Sequence, residues 1–91
     1  MASERAITKQ IMSYLESLEA CWCFKVHGGP YQQAGVPDIV GVYRGRMFAL
    51  EVKTAKGRVT PLQAHILAQV ERCGGLTGVV RSKEDAQKLF E

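Results

Sequence analysis

Two apolar runs separated by a short glycine-containing turn constrain this chain more than any other feature. Asp38 to Tyr43 (DIVGVY) and Met47 to Lys53 (MFALEVK) are rich in β-branched and aromatic residues, and Arg44-Gly45-Arg46 between them offers a glycine for the positive φ of a tight hairpin. Each run is apolar on both faces, the pattern of central strands covered on each side. A hairpin fixes pairing as well as shape. If Arg44 and Gly45 form a two-residue loop, Tyr43 pairs with Arg46, and counting outward sets Asp38 opposite Glu51. Such partners lie roughly 4.5 to 5.5 Å apart and point to one face. Lys53, two positions beyond Glu51, points the same way. If the turn shifts by one residue toward the C-terminus, Asp38 falls opposite the neighbourhood of Lys53 and the group stays together only with some bulging, so the cluster depends on register.

The flanking segments read as helices and strands around that hairpin. Ser3 caps a helix whose apolar positions Ile7, Ile11, Tyr14, Leu15 and Leu18 recur at helical spacing to about Ala20, and Glu4 leans toward the same stripe. A strand follows over Trp22 to Val26, and 27–35 is a long loop dense in glycine and proline. Thr60-Pro61-Leu62-Gln63 is a strong helix start, with Thr60 as N-cap, Pro61 in the first turn and Gln63 completing a capping box. Leu62, Ile66, Leu67 and Val70 are its expected buried face, and Gly74-Gly75 ends it. Leu76 to Val80 forms a last strand, and Ser82 caps a helix from Lys83 to Phe90. The order is helix, three strands, helix, strand, helix: a mixed α/β arrangement with a sheet between helices.

Length and composition narrow the class. Ninety-one residues suit one domain, 1–91, with one core. At 46% hydrophobic and 23% charged the composition is globular. No run approaches the ~20 apolar residues of a membrane span, and Met1-Ala2-Ser3-Glu4-Arg5 lacks a basic lead into an apolar stretch, so a soluble cytoplasmic protein is expected. Three cysteines, Cys21, Cys23 and Cys73, make a poor disulfide framework and fit a reducing compartment. Cys21-x-Cys23 with His27 lacks the spacing and second pair of a zinc site, and the two thiols read instead as small apolar side chains on a strand.

Two carboxylates and a lysine at the end of an apolar hairpin are expensive to bury, and repulsion between the carboxylates raises the cost unless a cation sits between them. Singly, each fits a surface ion pair contributing about 0 to 1 kcal/mol. Together they suit a divalent metal. Mg²⁺ takes one or two carboxylates, several waters and substrate phosphate oxygens. Asp38 and Glu51 match that demand, the backbone carbonyl of Val52 offers a third oxygen, and Lys53 is placed to position water or offset charge developing on a phosphate. A net charge of +3 permits an anionic partner; Lys53, Lys56 and Arg58 cluster in one short stretch with Arg44 and Arg46 just before it, a pattern whose plainer reading is a set of solvated loop charges.

Pro37-Asp38 followed by Glu51-Val52-Lys53 resembles the PD-(D/E)xK motif of restriction-endonuclease-like enzymes. With Gly35-Val36, Gly57, Gln63, Gly74-Gly75 and Val80-Arg81-Ser82, the resemblance covers nearly the whole chain and is to the VRR-NUC branch, which includes stand-alone proteins of bacteria and phages. That likeness implies an αβββαβ core with a central mixed sheet flanked by helices. It makes Asp38 and Glu51 metal ligands for Mg²⁺ or Mn²⁺ and Lys53 the catalytic lysine, with Glu4 and Gln63 as further site residues. It also implies DNA endonuclease activity leaving a 5′-phosphate. By analogy with stand-alone relatives similar in size to archaeal Holliday junction resolvases, it implies a homodimer acting on branched DNA in a bacterial or phage-infected cell.

Other candidates have plainer readings. Glu4 suits the helix dipole in a first turn, Gln63 suits a capping box, and His27 and His65 suit solvent-facing positions. Tyr31, Gln32 and Gln33 in the long loop could contact DNA, whereas Gly28-Gly29-Pro30 does not match a phosphate loop leading into a helix. The rival functions are a non-catalytic nucleic-acid-binding module, whose binding would be salt-sensitive and indifferent to metal, and an interaction domain whose carboxylates merely pair with neighbouring cations.

Overall fold

Caps and turns set the boundaries of the elements in the computed structural model, which describes residues 2–27 and 33–91. Helix α1 spans Glu4–Glu16, with the Ser3 side chain accepting from the Ala6 N–H. The helix therefore ends before Ala20. The Ser17 hydroxyl and N–H both donate to the Tyr14 carbonyl, and Ala20 adopts a left-handed φ of 58° that turns the chain into the sheet. Strands β1 (Cys21–Lys25), β2 (Ile39–Tyr43) and β3 (Arg46–Val52) precede helix α2 (Pro61–Arg72), strand β4 (Leu76–Val80) and helix α3 (Lys83–Phe90). The sheet order is β1-β2-β3-β4. The first two pairings are antiparallel, and β3 and β4 are parallel, as their α2 crossover requires.

Arg44 at φ 50° and Gly45 at φ 83° make the hairpin loop a two-residue turn with both central residues left-handed, the form that matches strand twist. Tyr43 pairs with Arg46 and Ile39 with Leu50, the expected register.

One face of the sheet carries the main core. Ile7, Ile11 and Leu15 of α1 and Ala86 and Phe90 of α3 close over Ile39, Phe48, Leu50, Val52 and Val80. Phe90 meets Phe48 and Tyr43 edge-on, with ring centroids 4.9 and 5.2 Å apart. Cys21 and Cys23 pack against this cluster as small apolar groups, and burial pushes the Cys23 thiol up to about 11, so it stays protonated.

The opposite face departs from the expectation that both hairpin strands are covered on each side. Helix α2 packs over β3 and β4, where Ala49 and Glu51 of β3 are buried. It does not extend over the β1–β2 half, where Trp22, Phe24 and Val42 are exposed. Leu62, expected in the buried face of α2, is also exposed, while Ile66 and Val70 are half-buried and Leu67 alone is buried. Among the described residues, no helix is long and apolar enough to cross a membrane.

Candidate metal and catalytic centre

The last ladder pair of the hairpin is Ile39 with Leu50, and Asp38 sits one step beyond it. There the backbone leaves the regular ladder. The Asp38 N–H donates to the Leu50 carbonyl at 3.0 Å, and the Asp38 carboxylate, through Oδ2, accepts the Val52 N–H at 2.8 Å. A side-chain oxygen thus takes an amide that a continuing strand would have engaged, which ends the pairing and ties Asp38 to the motif strand. Pro37, which has no N–H to donate, is buried immediately before it.

Glu51 lies on β3 with its side chain 2% exposed. Its Oε2 accepts from Gln63 Nε2 at 3.2 Å and stands 3.8 Å from Lys53 Nζ, while its Oε1 has no hydrogen-bond partner. The carboxyl is pushed up to about 8, first by burial, then by the adjacent Asp38 carboxyl through hydrogen bonding and charge; Lys53 opposes the shift and Glu4 adds slightly to it. Two carboxylates are both acceptors, so Asp38 can bond Glu51 only while one of them holds a proton. Once both ionise, Oε1 is a buried acceptor with nothing to accept from, a costly state unless a cation completes it.

Gln63 performs two tasks with the two ends of one amide. Its Oε1 accepts the Thr60 N–H at 2.9 Å, its backbone N–H donates to the Thr60 hydroxyl, and its Nε2 is left for Glu51. The capping box read from the sequence therefore also carries the start of α2 to the carboxylate.

The structure gathers Asp38, Glu51, Lys53 and Gln63. Glu4 belongs to the neighbourhood through its charge on Glu51, from an exposed first-turn position, without contact. His27 and His65 are exposed. Gln33 is exposed too, whereas Tyr31, Gln32 and Gly28-Gly29-Pro30 lie outside the described residues. Among the described residues no three His, Cys, Asp or Glu side chains converge, so the side-chain donors available here are two carboxylates. Cys21 and Cys23 with His27 do not form a zinc group.

Two basic assignments change. Arg44 and Arg46 occupy the turn end of β3, about 23 Å from Lys53 at roughly 3.3 Å per residue along the strand, so they do not share a surface with it. Arg44 stacks over Tyr43 and Arg46 donates to the Gly74 and Gly75 carbonyls. Arg81 donates through one nitrogen to the Thr54 and Gly57 carbonyls, each at 2.7 Å, clamping the loop between Lys53 and α2. Nothing in the sequence pattern marks that role, because its partners are backbone carbonyls more than twenty residues away.

A solved structure described as a VRR_NUC domain shares this fold, with a TM-score of 0.79 at 23% identity over 98% of this chain and 96% of that one. No protein-family model matches the chain, and no curated protein matches it. The fold expected from the resemblance, a mixed four-stranded sheet flanked by helices, is the fold observed.

Proposed function

We propose that this chain is a divalent-metal-dependent endodeoxyribonuclease centred on Asp38, Glu51 and Lys53. The observation that carries the reading is the Glu51 carboxylate, buried beside a second carboxyl with Oε1 unpartnered. A small hard cation fits that oxygen, since Mg²⁺ and Mn²⁺ favour carboxylate and carbonyl donors. Asp38 and Glu51 would hold it, with the Val52 carbonyl as a further oxygen. When bound, such an ion supplies Lewis-acid polarisation of a phosphodiester and activation of water near neutral pH.

The remaining work falls to the chain. Gln63 fixes one Glu51 oxygen and the Val52 N–H fixes one Asp38 oxygen, so each carboxylate keeps its other oxygen free. The Lys53 side chain is 12% exposed, and its ammonium stands 3.8 Å from Glu51, beyond strong hydrogen bonding, so its N–H donors are left for a phosphate oxygen or a nearby water. The loop held by Arg81 presents Lys56 and Arg58 close behind it. The substrate class is DNA. A symmetric pair of copies would present two such centres, a suitable arrangement for paired cuts across a four-way junction.

Cleavage of linear, flapped and four-way DNA with and without Mn²⁺, repeated with Asp38→Ala and Lys53→Ala, tests the reading. Metal-dependent cutting that falls by at least about a hundredfold in each variant is expected. Full activity of Lys53→Ala would overturn the mechanism, and binding without cutting under any metal would favour a non-catalytic binding module.

A further inference from the structure

Three cations gather on a surface that the sequence reading did not single out. Arg5 and Lys9, one turn apart on α1, and Lys25 at the end of β1 line a common depression of about 380 Å³ floored by Thr8 and Met12. All three cations are exposed, and Thr8 is buried with its hydroxyl donating to the Glu4 carbonyl, so the floor is a fixed part of the fold. Among the described residues the ion pair present is Lys53 with Glu51, which leaves Arg5, Lys9 and Lys25 without a carboxylate within 4.0 Å. Three like charges around one depression repel each other, and the fold supplies no counter-charge among them.

The patch adjoins the proposed centre at two points. Lys25 pairs with Ile39, the residue after Asp38, and the Val26 N–H donates to the Asp38 carbonyl at 2.8 Å. Arg5 directly follows Glu4, whose charge reaches Glu51. Arg5 and Lys9, about 6 Å apart along the helix axis, lie one above the other on one face of α1.

Building on the nuclease reading, we infer that Arg5, Lys9 and Lys25 form a track for the phosphodiester backbone of the DNA strand leading from the scissile position over the α1–β1 surface. This is a sequence-independent contact that positions the strand, since cations meet phosphates and no base edge. It explains why the chain keeps unpaired cations there while Arg44 and Arg46 are spent on the turn end of the sheet.

The test compares the wild-type chain with the Arg5→Ala/Lys9→Ala/Lys25→Ala variant and with Lys25→Ala alone. Binding to labelled duplex and four-way DNA is followed by anisotropy between 50 and 200 mM salt in Ca²⁺, and single-turnover cleavage is followed in Mn²⁺. Loss of three phosphate contacts should flatten the log–log salt slope by about 2.7, which makes wild-type affinity fall about 40-fold more than the variant's over that salt range. Lys25→Ala should flatten it by about 0.9. The DNA concentration for half-maximal cleavage should rise while the saturating rate holds, and melting temperatures should match because the positions are exposed. An unchanged salt slope in a variant that still folds would overturn the inference even if the wild type cuts DNA. A wild type that binds with a slope carried by these three residues yet never cuts would uphold the track and overturn the nuclease reading instead.

Discussion

Replacing Glu51 with glutamine should stabilise the metal-free protein at neutral and alkaline pH, and the size of the gain follows from the titration of the carboxyl. In the fold that carboxyl is pushed from 4.5 to about 8, chiefly by burial and then by Asp38. The folded state therefore keeps a proton that the unfolded chain releases. The stability associated with this group is full below pH 4.5, is lost as pH rises through the interval to 8, and is not recovered above it. At about 1.36 kcal/mol per unit, the loss reaches ~3 kcal/mol at pH 7 and ~5 kcal/mol beyond pH 8. A chain of this length has roughly 5 to 14 kcal/mol in total, so the term is large. Glutamine keeps the shape and an oxygen for Gln63 Nε2 but carries no charge to bury.

Thermal melts of both proteins in a chelator at pH 5, 7 and 9 check this. The curves should nearly coincide at pH 5. At pH 7 the variant should melt about 12 °C or more higher, taking ~4 °C per kcal/mol for a domain of this size. Adding Mn²⁺ should raise the wild-type melting temperature at pH 7 well above its effect on Glu51→Gln, because the variant keeps Asp38 but has lost the buried charge that the cation would offset. Curves that run parallel from pH 5 to 9, or a variant less stable than wild type at pH 9, would refute the reasoning about an uncompensated buried carboxylate.

Three further outcomes follow from particular contacts. Asp38→Asn keeps an oxygen for the Val52 N–H but removes the charge beside Glu51, so an NMR titration should find the Glu51 midpoint lowered from about 8, with cleavage reduced at least about a hundredfold. In Gly41→Ala the new Cβ would meet the Trp22 carbonyl oxygen at 2.3 Å and Cys23 Cα at 2.8 Å, both backbone, so urea unfolding should show a loss of about 3 kcal/mol. Arg81→Ala removes both bonds to the loop after Lys53, and hydrogen exchange at the Gly57 N–H should quicken along with a stability loss of about 2 to 3 kcal/mol.

Much of the fold was legible because its signals are local. Ser3, Thr60 and Ser82 each cap the helix they precede, and Arg44-Gly45 closes the hairpin in the one register that brings Asp38 toward Glu51. Strand β4 and helix α3 carry the boundaries that the apolar pattern gives them. The end of α1 was less legible. The spacing of Leu18 continues the helical stripe, yet the chain must reverse into β1, and Ala20 takes the left-handed turn where a glycine would have announced it. The covering of the sheet was not legible at all. Trp22 and Val42 have the residue types of a buried strand, and only the placement of α2 over β3 and β4 leaves them exposed.

The site itself divides along the same line. Asp38, Glu51 and Lys53 could be grouped from the hairpin because pairing carries information across a known turn. Gln63 could be read as a cap, since its partner Thr60 is three residues away. Its bond to Glu51 spans twelve residues and arises only because the loop from Lys53 to Thr60 brings the start of α2 back beside the end of β3. Arg81 holds that loop by two carbonyls. The cap therefore has a consequence beyond helix stability: an amide oxygen committed to Thr60 leaves its nitrogen as the end presented to Glu51, which fixes a donor where the carboxylate needs one and leaves the other carboxylate oxygen for a cation. A glutamate at position 63 would cap equally well and present an acceptor to an acceptor, so the choice of glutamine follows from the chemistry of the site rather than from the helix.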